Sequence, residues 1–337
     1  MDARTTTAAR TAPAGLRLRP YAGEPDLAAI TRILNAEAAA DDLPDRFSVE
    51  GLAAEYRHPN EHFDPGRDVT IAELDGLPVG MGHRTWVDTT DGYREYRMDG
   101  AVDPGWRRRG VGTAIAAENE RRLRDLAAEH GPQRRVLGSW GWEGQQGHAA
   151  IVRAMGFEPV RWFFHMVRPT LDDLPVLPLP DELEIRPITP ELARQVWRAD
   201  VEAFEDHWGG FDRSDEQLER WLADPSTDLS LWVVAFDGDE VAGGSLNAIS
   251  EAENELMGHR RGWLASVFTR RPWRRQGLAR AIIARSLEAL RERGMTSAAL
   301  GVDAENPSGA LGLYEALGFE VENRATAWRK AFQAWIT

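Results

Sequence analysis

The second half of the chain repeats the first. Three short segments recur in the same order: Leu18–Pro20 as Ile185–Pro187, Trp106–Gly112 as Trp273–Ala279, and Met155–Glu158 as Leu317–Glu320. The first two recur after 167 residues and the third after 162, a change that loop insertions or deletions between duplicated domains produce. Solenoid repeats have periods of about 20 to 50 residues. The spacing therefore predicts two copies of one domain in tandem.

A proline-rich segment separates the copies. Residues 169–180 contain four prolines, and proline can continue neither a helix nor a central strand. The opening of the chain carries Arg, Thr and Ala without the apolar segment of a signal peptide, which predicts a disordered tail. We predict a tail at 1–15, a first domain at 16–168, a linker at 169–183 and a second domain at 184–337.

Both copies alternate strand-like and helix-like segments. In each, two strands flank an Asp-Gly turn, Asp75-Gly76 in the first copy and Asp237-Gly238 in the second. Further on, a strand runs into a glycine-containing loop, after which apolar residues recur at helical spacing, as along 278–290. This order predicts an α/β fold whose mixed sheet is of the α+β kind, with one helix entered directly from a strand.

The composition excludes several classes of protein. The net charge of −14 disfavours nucleic acid as a partner and favours cationic small molecules. The chain has no cysteine, which removes disulfides, thiolate nucleophiles and Cys-ligated zinc, and its eight histidines lack the spacing of a metal site. No run of about 18 apolar residues is present to span a membrane. We predict a cytoplasmic protein with no metal, no membrane contact and no nucleic acid partner.

A glycine loop leads into a helix at the same place in both copies. The first N–H groups of a helix have no partner inside it and lie at its positive end, so they attract anions. Glycine lets the backbone approach a phosphate, and arginine adds positive charge. The residues predicted to hold a pyrophosphate are Arg107, Arg108, Arg109, Gly110, Val111, Gly112 and Thr113 in the first copy, and Arg274, Arg275, Gln276, Gly277, Leu278, Ala279 and Arg280 in the second. A tight turn with solvated arginines is the alternative, and the recurrence in matched context favours the anion site.

Both copies resemble N-acetyltransferase domains of the GNAT superfamily. In that family the segment [Arg/Gln]-x-x-Gly-x-[Gly/Ala] joins the fourth strand to the third helix, and Arg107–Gly112 and Arg274–Ala279 match it. The second copy also has the run Asn306–Phe319, which closely matches the pattern after the family's fifth strand. The tandem layout is similar to that of mycothiol synthases. The resemblance implies two tandem GNAT-like domains, each with a sheet splayed where its fourth and fifth strands part, and acetyl-CoA as the donor.

The resemblance also implies roles for residues of the second copy. Backbone groups of Val267, Phe268 and Thr269 would hold the pantetheine arm and polarise the acetyl carbonyl. Asn306 would bind the same arm. Tyr314 would lie near the sulfur and protonate the leaving thiolate as general acid, because a tyrosine with a pKa of about 10 is protonated at neutral pH and can donate. Packing of the last helix is the alternative role for Tyr314.

The first copy departs from this pattern. Val102 and the loop after it match the CoA-binding positions, but Val152 stands in the place of Tyr314 and Gly144 in the place of Asn306. The first copy therefore lacks the aligned acid, and we predict that it is non-catalytic. It either binds CoA without turnover or only supports the second copy.

The general base is less constrained. An amine must lose a proton before or during attack, so a carboxylate or histidine is needed near the fourth strand. Glu255 and His259, just before that strand, are the candidates, and residues 202–207 include further carboxylates and a histidine. Each of these is alternatively a solvated surface residue. Mycothiol synthases carry a glutamate fourteen residues before the loop glycine, where this chain has Trp263.

These observations predict an N-acetyltransferase that moves the acetyl group of acetyl-CoA directly to a primary amine of a small molecule, such as an aminosugar, a polyamine or an amino-acid-like compound. The lack of cysteine leaves no thiol to carry a covalent acetyl group. Two alternatives stay open: a non-catalytic acyl-CoA sensor or scaffold, and a transferase acting on a protein or peptide. A monomer or a homodimer is expected.

Overall fold

The computed structural model describes residues 12–205, 207–209, 214–223, 227–306 and 309–332. Most of the predicted tail at 1–15 lies outside them. The chain forms two compact units. The first unit comprises the chain up to Trp162 together with the chain from Ala325 onward, and the second unit is Phe163–Arg324. Each has strands flanked by helices and its own apolar cores.

The predicted mixed α/β fold is confirmed. The helices and strands of the first half are β1 (Leu16–Pro20), α1 (Glu24–Ala40), α2 (Val49–Arg57), α3 (Pro65–Asp68), β2 (Val69–Leu74), β3 (Leu77–Asp88), β4 (Arg94–Val102), α4 (Val111–Glu129), β5 (Arg135–Trp142), α5 (Gln146–Ala154) and β6 (Glu158–Arg168). Those of the second half are β7 (Leu183–Arg186), α6 (Pro190–Ala203), α7 (Asp215–Ala223), β8 (Val233–Asp237), β9 (Glu240–Ala248), α8 (Glu251–Met257), β10 (Arg261–Thr269), α9 (Leu278–Glu292), β11 (Ser297–Asp303), α10 (Ala310–Ala316) and β12 (Glu320–Ala331).

The two units share one strand topology. The order is β1-β2-β3-β4-β5 in the first unit and β7-β8-β9-β10-β11 in the second. Neighbouring strands in these series are antiparallel except β4 with β5 and β10 with β11, which are parallel. A parallel pair needs a crossover connection, and α4 and α9 supply it. The equivalence agrees with the repeat in the sequence.

The last strand of each unit comes from the other half of the chain. β12 pairs antiparallel with β5 along Ala325–Ala331, and β6 pairs antiparallel with β11 along Phe163–Arg168. In these two strands the units differ from the division at 16–168 and 184–337. The physical reason is that β6 and β12 are equivalent segments of the repeat, so either of them can complete either sheet.

The sheet of each unit is splayed, as expected. Parallel pairing joins Arg94–Arg97 to Arg135–Gly138 in the first unit and Arg261–Trp263 to Ser297–Ala299 in the second. Both ladders end there, although all four strands continue. We call the space beyond the ladders the first-unit gap, between β4 and β5, and the second-unit gap, between β10 and β11.

Helices cover both faces of the second unit's strands. On one face, Leu287 of α9 and Tyr314 of α10 share a core with Leu264 of β10. On the other face, Val196 of α6 shares a core with Phe268 of β10. Leu264 and Phe268 are four residues apart, and the register irregularity between Leu264 and Ser266 turns them to opposite faces of the sheet.

The predicted linker packs on the second unit. Leu171 is buried in the core of α9 and α10, and its N–H donates to the Thr296 carbonyl oxygen at 3.1 Å. Arg285 Nη1 donates to the Leu177 carbonyl oxygen at 2.9 Å. This segment is therefore held against the second unit along its length.

Two properties of the described residues concern membranes and metals. None of their helices combines the length and the apolar character needed to cross a membrane. Nor do their His, Cys, Asp and Glu side chains form a group of three that could hold a metal ion.

The strand exchange can be tested through Trp328. This residue of β12 is 3 % exposed and packs with Tyr96 and Leu137 in a core of the first unit. Replacing a large buried aromatic residue by alanine costs about 3–5 kcal/mol. We expect Trp328→Ala to lower the free energy of unfolding by that amount in urea titrations and to speed amide hydrogen exchange in β4 and β5. Trp162→Ala is the control because that side chain is exposed. Faster exchange confined to β10 and β11 would contradict the strand assignment.

Candidate active site

The loop between β10 and α9 has a defined shape. Arg274 Nε donates to the Thr269 carbonyl oxygen at 3.0 Å, which ties the loop to the end of β10. Arg275 has a φ of 63° and Gly277 a φ of 86°. Positive φ is uncommon for a residue with a side chain, so Arg275 marks a turn that its surroundings hold in place. The side chain of Gln276 adds a hydrogen bond from Nε2 to the Pro272 carbonyl oxygen at 3.1 Å.

The start of α9 is buried on one side and open on the other. Leu278, its first residue, is buried in an apolar core, Ala279 is half-buried, and Gly277 and Arg280 are exposed. A Cβ built on Gly277 would meet nothing within 4 Å. The first N–H groups of α9 lack acceptors within the helix and lie at its positive end. This arrangement offers an exposed anion site with Arg275 and Arg280 beside it.

The loop of the first unit has the same shape, but its glycine is buried. Arg107 Nε donates to the Val102 carbonyl oxygen at 3.3 Å. Arg108 has a φ of 63° and Gly110 a φ of 90°, which match the second unit at an offset of 167 residues. Gly110, however, is buried, whereas Gly277 is exposed. The backbone around Gly110 is therefore less accessible to a ligand.

Neighbouring side chains surround the first unit's loop. The Arg107 guanidinium binds the carboxylate of Asp41 at 2.6 and 2.8 Å and that of Glu37 at 3.3 Å. The guanidinium of Arg109 lies 4.8 Å from the centroid of the Trp106 ring. The remaining predicted positions are in the first turn of α4: Val111 is buried, and Gly112 and Thr113 are half-buried.

The second-unit gap is open beside Gly301. This residue lies on β11 just beyond the parallel ladder and is exposed. A Cβ built on it would meet nothing within 4 Å. Across the gap, Val267, Phe268 and Thr269 pair with β9 along their far edge. Their edge toward β11 therefore borders the gap with backbone groups.

Side chains bridge the first-unit gap. Ser139, which stands where the second unit has Gly301, donates from Oγ to the Met98 carbonyl oxygen at 2.7 Å and contacts His148 Nε2 at 2.8 Å. Asp99 of β4 accepts the Trp140 N–H of β5 at 3.3 Å. Burial raises the pKa of the Asp99 carboxyl to about 6 and lowers that of His148 to about 4. The strands of this gap are thus linked by the protein's own polar groups.

The far end of the first-unit gap is also filled. Gln145 Nε2 donates to Glu37 Oε2 at 3.2 Å. Burial raises the pKa of Glu37 to about 7, against the opposing charge of Arg107. A Cβ built on Gly144, the counterpart of Asn306, would lie 2.3 Å from the Asp41 carbonyl oxygen. The loop after β5 therefore packs directly on the end of α1.

Tyr314 lies on α10 in the core that α10 shares with α9. It is 7 % exposed, and its ring is 5.9 Å from that of Phe319 in an edge-on arrangement. Val267 of β10 packs against the same core. Burial raises the pKa of the Tyr314 hydroxyl to about 12, so it is protonated at neutral pH. Val152, its counterpart in the first unit, is a buried core residue.

Asn306 follows β11 and precedes α10. Its N–H donates to the Asp303 carbonyl oxygen at 3.1 Å, and its own carbonyl oxygen accepts from the Gly309 N–H at 3.2 Å. The two residues between Asn306 and Gly309 lie outside the described residues. The turn places Asn306 at the β11 end of α10, on the same connection as Tyr314.

The two predicted bases lie near the start of β10. Glu255 is exposed on α8, and His259 follows that helix. Burial lowers the pKa of His259, and its Nε2 is 4.0 Å from Glu253 Oε1. This is the end at which β10 and β11 are still paired. The structure therefore does not bring these two residues to the second-unit gap. Of the further carboxylates, Glu202 binds Arg270 at 2.9 Å.

Sequence reasoning missed Asp200. This residue of α6 is 5 % exposed, and its Oδ1 accepts a hydrogen bond from Ser266 Oγ at 2.5 Å. Burial raises the pKa of the Asp200 carboxyl to about 6, and the hydrogen bond from Ser266 opposes the rise. A usable signal was present, because Asp200 lies four residues after Val196 and so on the apolar side of the helix.

Aromatic rings border the second-unit gap on the α6 face. Phe163 and His165 of β6 point away from the core that contains Met166. The His165 ring stacks on Trp263 with centroids 5.2 Å apart, and Phe163 lies 6.2 Å from Trp208. This face therefore presents ring surfaces on the same side of the sheet as Asp200.

A known family of proteins matches the second unit of the chain. The model described as "Acetyltransferase (GNAT) family" matches residues 194–319, a span that lies wholly within the second unit. A crystal structure of a GCN5-related N-acetyltransferase from Sphaerobacter thermophilus has a TM-score of 0.75 and 25 % identity, covering 97 % of this chain and 98 % of that one. A tandem GNAT protein from the clavulanic acid biosynthesis pathway has the same fold, with a TM-score of 0.66 at 19 % identity over 95 % of this chain and 99 % of its own.

Relatives of known name cover most of both copies. The mycothiol acetyltransferase of Geodermatophilus obscurus is 29 % identical over 310 residues, which are 90 % of this chain and 94 % of that protein. That of Salinispora tropica is 30 % identical over 303 residues, 88 % of this chain and 90 % of its own. The chain therefore belongs to the GNAT family of N-acetyltransferases, in the tandem form that it shares with the mycothiol acetyltransferases.

Proposed function

We propose that the second unit transfers the acetyl group of acetyl-CoA directly to a primary amine of a small molecule. The observation that carries this proposal is the second-unit gap, which is open at Gly301 and has the exposed loop of Gly277 at one side and Tyr314 at the other. No equivalent opening exists at Ser139 in the first unit, where side chains bridge the strands.

The residues of the second unit fit acetyl-CoA. The N–H groups at the start of α9, with Arg275 and Arg280 exposed beside them, suit a pyrophosphate. The edge of Val267–Thr269 that faces the gap suits an amide-containing arm, because an unpaired strand edge offers hydrogen bonds to an extended chain. Asn306, at the end of β11, adds a side-chain amide on the other border.

The transfer of the acetyl group has three requirements. Backbone N–H groups of Val267–Thr269 polarise the acetyl carbonyl and stabilise the charge that builds on its oxygen. Tyr314 donates a hydrogen bond, and then its proton, to the departing sulfur. The amine attacks the acetyl carbon directly, because the chain has no cysteine to form a thioester.

In this proposal the first unit neither binds acetyl-CoA nor transfers acetyl. Asp99 and Ser139 fill the place of the pantetheine arm. Gly110 is buried, so the backbone of the first loop is less accessible to a phosphate than that around Gly277. Val152 leaves no acid in the place of Tyr314.

The acceptor is an amine whose body suits aromatic and acidic surroundings. Trp263, Phe163 and Trp208 offer ring faces on the α6 side of the gap, and rings of this kind bind cations and apolar groups. The net charge of −14 attracts a protonated amine to the protein. Aminosugars, polyamines and amino-acid-like amines fit this description. Because the relatives are named mycothiol acetyltransferases, the deacetylated form of mycothiol is a further candidate acceptor.

A thiol-release assay tests the proposal. The full chain is incubated with acetyl-CoA and a panel of aminosugars, polyamines, amino acids, peptides and deacetylated mycothiol, and free CoA is measured. We expect release that depends on one class of small amine, with the acetylated amine identified by mass spectrometry. Release only with peptides would identify a peptide transferase. Calorimetric binding of acetyl-CoA without release by any amine would identify a sensor.

A further inference from the structure

Asp200 is a carboxylate placed in the apolar interior of the second unit. It follows Ala199 and lies one helical turn after Val196, and both of these belong to the core of α6. Such burial costs free energy unless the charge is hydrogen-bonded or has a function. Its hydrogen bond comes from Ser266, a half-buried residue of β10. The half-buried serine is therefore the outer member of a hydrogen-bonded pair whose inner member is a buried carboxylate.

Most charged groups near this pair form ion pairs of their own. The strands that pack on α6 are β9 and β10. The buried polar side chains of β9 are Ser245 and Asn247. Ser245 Oγ donates to Asn247 Oδ1 at 2.7 Å. The charged ends of these strands form their own ion pairs: Arg261 with Glu322 at 3.1 Å, Arg270 with Glu202 at 2.9 Å, and Arg270 with Glu240 at 3.7 Å. On α6 itself, Arg194 binds Asp215 and Glu219. Glu191 and Arg198 of α6 are exposed, and Arg274 Nη2 donates to the Ala203 carbonyl oxygen at the end of this helix at 3.2 Å.

Ser266 lies where β10 leaves β11. The parallel ladder ends at Trp263, and β10 has an irregular register against β9 between Leu264 and Ser266. Ser266 has the same orientation as Phe268, toward α6, and the opposite one to Val267, which packs toward Tyr314. Ser266 and Tyr314 therefore border the second-unit gap from opposite faces of the sheet.

The pair is confined to the second unit. Ile33 stands 167 residues before Asp200 and is a fully buried core residue of the first unit. Asp99 stands 167 residues before Ser266 and is used to bridge the first-unit gap. The unit with the open gap is therefore the one that carries the serine and the carboxylate together.

We infer that Asp200, acting through the Ser266 hydroxyl, is the proton acceptor for the attacking amine. This inference rests on the proposed function. It assigns the general base to α6 rather than to Glu255 or His259, because those two lie at the paired end of β10. The sheet then separates the two proton transfers, with the base on the α6 face and Tyr314 on the α10 face.

The step balances without a further reactant. The amine first releases one proton to solvent and reacts in its neutral form. Its nitrogen then forms a bond to the acetyl carbon, and the second proton passes to Ser266 Oγ while the serine proton passes to Asp200. The carbon–sulfur bond breaks, and the sulfur takes the proton of Tyr314. The products are the acetamide and free CoA. The proton gained by Asp200 returns to Tyr314 through solvent before the next turnover.

The test measures kcat against pH with the full chain, saturating acetyl-CoA and the best amine of the panel. We expect Asp200→Asn to lower kcat about 10²-fold or more while the calorimetric Kd for acetyl-CoA stays unchanged. The fall in kcat at acidic pH, which the wild type shows as Asp200 becomes protonated, should be absent in this variant. Glu191→Gln, an exposed carboxylate on the same helix, is the matched control and should behave as the wild type.

Ser266→Ala gives a second test that does not depend on the folding of Asp200→Asn. It should lower kcat about as much as Asp200→Asn, about 10²-fold, and remove the acidic fall, because Asp200 no longer has a hydroxyl through which to accept the proton of the amine. A role in packing alone would not move the pH profile. Wild-type kcat and an unchanged profile in either folded variant would overturn the inference. Failure of the wild type to acetylate any amine would instead overturn the proposed function, and this inference with it.

Discussion

Gly277→Trp is expected to abolish acetyl transfer and acetyl-CoA binding together. Gly277 is exposed, has a φ of 86° and precedes the first turn of α9. A tryptophan there would cover the N–H groups that are to receive the pyrophosphate and would add strain, because a residue with a side chain resists this φ. The Cβ itself meets no neighbour within 4 Å, so we expect the variant to fold. The measurements are calorimetric titration with acetyl-CoA and the thiol-release rate.

Gly110→Trp is the matched variant in the first unit. It should leave acetyl transfer and a single acetyl-CoA site per chain, because the first-unit gap is bridged by Ser139 and Asp99. Since Gly110 is buried, a surface pair supports the comparison: Arg275→Glu should weaken acetyl-CoA binding about 10-fold, and Arg108→Glu should not. Loss of activity in a folded Gly110→Trp or Arg108→Glu protein would show that the first unit is the catalytic one, or that the activity of the second unit depends on the first. Unchanged binding in both Gly277→Trp and Arg275→Glu would refute the anion site.

Tyr314→Phe should lower kcat about 10²-fold or more with little change in the affinity for acetyl-CoA. The substitution removes only the hydroxyl, so the ring contact with Phe319 at 5.9 Å is kept. Burial raises the pKa of Tyr314 to about 12, so the wild-type hydroxyl is protonated throughout the neutral range. Between pH 6 and 9 the loss should therefore be the same at every pH.

Leu317→Ala on the same connection separates catalysis from packing. Leu317 is buried in the core of Tyr314, so its replacement should lower stability by about 2–5 kcal/mol and affect kcat only through folding. A Tyr314→Phe protein with wild-type kcat would leave Tyr314 as a packing residue. Equal losses of kcat and of acetyl-CoA binding would place the hydroxyl in ground-state binding instead.

The features that the sequence predicted well are local and repeated. The loops at Gly110 and Gly277 recur with the same φ values because each needs glycine before a helix that starts directly after a strand. The turns at Asp75-Gly76 and Gly238 join adjacent antiparallel strands, as Asp-Gly pairs do. Repetition supplied a second observation of each feature within one chain.

Features that depend on distant segments were not predicted. Bridging of the first-unit gap needs Ser139, Asp99 and His148 from three elements, and each of these alone is an ordinary polar residue. The apolar spacing of α6 indicates that Asp200 is buried, but its hydrogen-bond partner Ser266 is 66 residues away in the sequence. The candidates Glu255 and His259 were chosen for proximity in sequence to β10, and proximity in sequence does not tell which end of a strand faces the gap.

The exchanged strands set an order on the completion of the two units during synthesis. Domains of a growing chain usually fold as they emerge, beginning with the N-terminal one. Here the sheet of the first unit lacks a strand until Ala325–Ala331 has left the ribosome, whereas β6 is available to the second unit before any other part of it is made. The sheet of the first unit therefore stays incomplete until the end of the second half of the chain has been synthesised. Neither half of the duplication therefore contains every strand of one unit.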